Sequence, residues 1–103
     1  MLKNELNVSH LSRKMLYLFH ISQNVNNNYD TYSDAIVVSD TIENAKLIHP
    51  DGNTFKATEM RNGKYLWSSW CYDLTEVECE LIGQLTNEKF KAGDVVCASF
   101  HAG

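Results

Sequence analysis

Hydrophobic and polar positions alternate in short runs, separated by turn-forming clusters. Residues 16–23 are apolar on both faces. Met15, Tyr17, Phe19 and Ile21 point one way, and Leu16, Leu18 and His20 the other. A strand of that kind is central in its sheet or covered on both sides. An asparagine-rich stretch, residues 24–30, breaks the pattern, because Asn favours turns and tolerates positive φ. Residues 35–38 form a second strand. Asp40 and Glu43 then have the spacing of a capping box, and Ile42, Ala45 and Ile48 supply a narrow apolar stripe, so a helix is predicted from Asp40 to its stop at Pro50. His49 would end that helix, where a protonated imidazole is favoured.

Further on, residues 55–60 and 65–67 flank Arg61-Asn62-Gly63-Lys64, a hairpin signal. Residues 73–76 read as a single helical turn. Residues 77–85 alternate, with Val77, Cys79, Leu81 and Gly83 on one face and Glu78, Glu80 and Gln84 on the other, as in a half-solvated strand. In the last strand, residues 94–101, Val96, Ala98 and Phe100 oppose Val95, Cys97, Ser99 and His101. Residues 1–13 are a polar arm, frayed or helical, ahead of one compact domain over 14–103. This order predicts an α+β fold: a mostly antiparallel sheet of about four to five strands with one main helix packed on one face.

The chain has 103 residues, which suits one domain, and its 13 acids against 9 bases give a net charge of -4. That balance argues against direct nucleic-acid binding, which needs clustered Lys and Arg. It suits an acidic protein that docks on a basic partner. No apolar run reaches the length of a membrane span, and the N-terminus lacks the apolar core of a signal peptide. Three cysteines without an export signal point to a reducing cytoplasm, with free thiols or metal ligands.

Four kinds of chemistry compete with structural explanations. Structural zinc needs four N or S ligands. His49, Cys71, Cys79 and His101 could supply them if the last two strands pair as a hairpin, although no Cys-x-x-Cys motif is present. Otherwise Cys79 and Cys97 are small buried apolar residues. A Cys–His nucleophile lacks any framing elbow or oxyanion loop, so no catalytic residue is assigned. Tyr29, Asp30 and Tyr32 could form a binding edge, or merely cap a turn and cover the sheet. Glu76, Glu78 and Glu80 could dock on a basic groove, or form an ordinary solvated strand face. Of Trp67, Trp70 and Tyr72, Trp70 is assigned to the core.

The segments YLFHISQ, YDTYSDAIVV, the helix ending IHP, an isolated Trp, ELIG and the terminal VVCASFHAG follow one another in a recognisable order. In that order the chain resembles a family of small phage and prophage proteins with a YDTYDSAVV segment, a helix ending IHP and a last strand ending ASFNAG. The resemblance covers residues 16–103. The chain departs from the pattern in its N-terminal extension, its short middle segment, and its Cys71, Cys79, Cys97 and His101. The family itself carries no named activity; by analogy with other small acidic phage proteins, which are often anti-defence factors, a non-enzymatic protein comparable to anti-CRISPR proteins is expected. Such a protein binds a host RNA-guided effector nuclease in the bacterial cytoplasm and blocks target-DNA loading. A metal- or thiol-dependent enzyme acting on a small molecule, and a phage assembly protein, are the alternatives.

Overall fold

The computed structural model describes residues 15–52, 69–71 and 73–102. The arm of residues 1–13 and the hairpin predicted over 55–67 lie outside the described residues. Four strands, β1 (Tyr17–Ser22), β2 (Thr31–Ser39), β3 (Glu78–Gln84) and β4 (Val95–His101), form one antiparallel sheet. Their order is β3-β1-β2-β4, so the doubly apolar β1 lies inside the sheet. A short helix, α1 (Ile42–Ala45), follows β2, and a 3-10 turn, Leu74–Glu76, precedes β3.

The α+β expectation with one main helix is overturned. The helix has four residues and the 3-10 turn three; the other regular elements among the described residues are strands. The stripe itself explains the shortfall. Ile42, Ala45 and Ile48 recur every third residue, the period of a 3-10 helix and not of an α-helix. After Ala45 the bonding tightens accordingly: the N–H of Leu47 donates to the Asn44 carbonyl (3.2 Å) and that of Ile48 to Ala45 (3.1 Å). The cap is Thr41, whose Oγ1 accepts the Asn44 N–H at 3.1 Å, while Asp40 accepts from the Asn44 side chain at 2.9 Å. A capping box does occur at the single turn, where Asp73 and Glu76 bond reciprocally to backbone N–H groups.

The core lies on one face of the sheet. Residues opposite one another in register share a face. Phe19 pairs with Val37 and Ile21 with Ala35, and these four are buried with Ala45, Ile48, Trp70, Cys71 and Val77. Each large side chain contributes about 1.5–3 kcal/mol on burial. The asparagine-rich loop is tied to this core by polar side chains. The Gln23 Oε1 accepts the N–H groups of Val25 (3.0 Å) and Asn26 (2.9 Å), and its Nε2 donates to the carbonyls of Asn26 and Tyr32, both at 2.8 Å. Its carboxamide is thereby fully satisfied although buried. Asn26 in turn donates to the Trp70 carbonyl at 2.8 Å. The left-handed residue of the loop is Asp30, at φ 62°.

Two bulges set the faces of the outer strands. Ser33 is the extra residue opposite β4, and Val96 the extra residue opposite β2. Val95 therefore shares the core face with Ala98, contrary to simple alternation along the last strand. A third irregularity, near Leu18, pairs Gly83 with Leu18 and so moves Gly83 away from Cys79 and Leu81.

Candidate functional site

The sheet face opposite the core carries most of the polar chemistry. Register places Glu80, His20, Ile36 and Cys97 in one row across the four strands. The next row is Glu78, Ser22, Asp34 and Ser99. Three inter-strand spacings make each row on the order of 14 Å wide. Alternation places His101 on the same face as Ser99. Tyr29, the most exposed large hydrophobic side chain among the described residues at 71%, stacks on His101 with ring centroids 5.1 Å apart. The result is an open surface, acidic on β3, with a polar centre and an aromatic corner.

His20 and Asp34 form the centre, with Nε2 and Oδ2 2.9 Å apart. The hydrogen bond from His20, followed by one from Ser99, holds the Asp34 carboxyl below the usual range against the opposing effect of burial. The carboxylate is therefore ionised across neutral pH. Both partners are about a third exposed, so the pair is worth less than about 1 kcal/mol to the fold. Cys97 shares a shallow cavity of about 90 Å³ with His20, Asp34 and Ser99. Sequence reasoning passed over this centre. His20 sits in an apolar run, and only the register of two strands 14 residues apart brings Asp34 beside it.

Of the six residues assigned to a contact surface, Glu78 and Glu80 are exposed on this face, and Tyr29 stands at its corner. Asp30 makes the left-handed turn. Tyr32 is directed to the core side, packed between His49 (5.6 Å) and Phe100 (4.7 Å). The Glu76 carboxylate accepts the Asp73 N–H at 3.0 Å, as part of the cap.

The four residues assigned to a zinc site are not brought together. The hairpin of the last two strands does not form: β3 and β4 occupy opposite edges of the sheet, separating Cys79 from His101 by three strand spacings. Cys71 is buried beside the Asp73 carbonyl, and burial pushes its thiol up to about 11, against thiolate formation. Burial also raises Cys79. Among the described residues no group of three or more His, Cys, Asp or Glu side chains could hold a metal ion.

His49 departs from expectation as well. It lies beyond the end of α1 and is fully buried. Nδ1 lies 2.9 Å from the Asp51 backbone N and 3.0 Å from the Asp51 Oδ1, and Nε2 lies 3.1 Å from the Ser69 Oγ. Desolvation lowers its pKa from the ordinary 6.5, outweighing the Asp51 carboxylate. The neutral ring is therefore the native form. The unfolded chain takes up a proton as the pH falls through about 6.5, and native His49 resists it, so stability is complete above that value and falls below it. The melting temperature should drop by several degrees between about pH 7.5 and pH 5, and less in His49→Gln, as calorimetry would show.

No helix among the described residues is long and apolar enough to cross a membrane. A scan against protein-family models and searches of curated proteins and solved structures return no match for this chain.

Proposed function

We propose that this protein acts by binding, through the open face of its sheet, to a basic surface of a macromolecular partner. The observation that supports the reading is the placement of exposed Glu78 and Glu80 on β3 and an ionised Asp34 on β2, with β1 between them, on one open face of the sheet. Opposite charge steers encounter and fixes orientation. The strand backbone fixes the spacing of these charges, and Tyr29 adds an amphipathic anchor at the corner. By analogy with anti-CRISPR proteins, the partner is a host RNA-guided effector nuclease whose positively charged channel receives target DNA. An acidic surface lodged there would exclude the DNA backbone by occupying its binding groups.

The test is to titrate purified protein into a guided nuclease before and after target DNA is added. Inhibition at micromolar protein is expected only when it is added first, and should weaken as salt is raised. Unchanged DNA loading across several effectors would reject the nuclease as partner.

A further inference from the structure

The two edges of the sheet are unlike. The β3 edge carries Glu78 and Glu80 and has an irregularity close to Gly83, features that discourage strand addition. The β4 edge, VVCASFH, has no acidic, lysine, arginine, proline or glycine residue. Its side chains are almost all exposed, including Phe100 at 48%. Among the described residues no strand pairs with its outer side. A seven-residue edge of this kind is a template for another strand.

The bonding pattern shows which groups face outward. Tyr32 donates its N–H to the Ser69 carbonyl at 2.8 Å and gives its carbonyl to the Gln23 side chain at 2.8 Å. Neither group serves β4, so Tyr32 and Phe100 form an antiparallel pair without mutual bonds. Backbone polar groups alternate sides along a strand, so those of Phe100 and Ala98 point away from β2. The bulge at Val96 confines regular pairing to the stretch from Cys97 to His101.

We infer that the outer edge of β4 pairs antiparallel with β4 of a second copy, about a two-fold axis through Ser99. Within the regular stretch this register sets Ala98 opposite the partner copy's Phe100, and Phe100 opposite its Ala98. The outward N–H and C=O groups of both residues are then used, making about four hydrogen bonds. Each exposed phenyl ring lies over a methyl group, so large meets small. Cys97 falls opposite His101, and no like-charged pair arises. It is this fit of the strand to itself that selects a second copy over a foreign strand. The two-fold is perpendicular to the sheet, so the open faces of both copies become coplanar and continuous.

Sedimentation of purified protein at about 100 µM should give a mass near twice the 11.8 kDa chain, as suits a small interface. Ala98→Pro removes an N–H that faces the partner and leaves the β2 ladder intact, so it should weaken the dimer about tenfold or more. Ser99→Cys, in a chain whose Cys97 is replaced by Ser, should cross-link on mild oxidation, because unbonded opposing residues lie about 4.5 Å apart at Cα. A monomeric mass at that concentration would overturn the inference. So would a dimer indifferent to Ala98→Pro and not trapped by Ser99→Cys, since its contact would then lie elsewhere. The protein is tested alone, so the result is separate from any effect on a nuclease.

Discussion

Replacing Trp70 with alanine is expected to cost about 3–5 kcal/mol, a large part of the stability of a small domain. Trp70 is fully buried and belongs to the core cluster of the described residues. Its ring lies 6.2 Å from that of His49, and its carbonyl receives the Asn26 side chain that fastens the loop before β2. Its neighbour Ser69 supplies the acceptor for the Tyr32 N–H. An alanine would leave a cavity where three segments of the chain meet. The indole Nε1 is buried, and no acceptor reaches it among the described residues. Trp70→Phe therefore removes an unpaired donor along with some volume, and should cost only about 1 kcal/mol. Urea denaturation of the two variants checks both figures. Equal midpoints would mean that the volume Trp70 fills contributes little to stability.

Reversing two charges, Glu78→Lys with Glu80→Lys, should leave the fold within about 0.5 kcal/mol of the parent, because both side chains are solvent-exposed. Binding to a basic partner should fall about 10- to 100-fold, largely through slower association at low salt. The control is Glu43→Lys. Glu43 lies on α1 and acts on Cys79 from the core side of the sheet. If Glu43→Lys weakens binding as much per charge, net charge alone governs the interaction and the open face is not the contact. Surface plasmon resonance at two salt concentrations separates the cases.

The strands were legible because period-two alternation is a local signal. Cys79 and Leu81 do oppose Glu78 and Glu80 across β3, as alternation predicts. Bulges defeated the same rule at Val95 and Gly83, since one inserted residue inverts every later assignment. The start of β2 was placed late because Thr31 and Tyr32 owe their extended form to β4, some seventy residues on. The helix is shorter than its apolar stripe suggests because the stripe recurs every 3.0 residues rather than every 3.6. Which strands pair could not be read at all. The hairpin assumed for the zinc set fails because both positions beside β1 and β2 lie on opposite sides of the sheet. Pairing order also hid the His20–Asp34 centre, for neither residue carries a signal by itself.

The strand order has a further consequence, for how the chain acquires its shape. β1 and β2 are joined by eight residues, whereas fifty-five separate β2 from β4. Closing the longer connection costs more chain entropy, so the central pair can form early and the edges must find it afterwards. The order of assembly then runs outward from the middle of the sheet. The rims, where the acidic strand and the self-pairing strand lie, come last and open first. Amide exchange should accordingly be slowest at Phe19, Ile21 and Val37 and fastest along β3 and β4. The edges proposed here as contact surfaces are then those the fold holds least tightly.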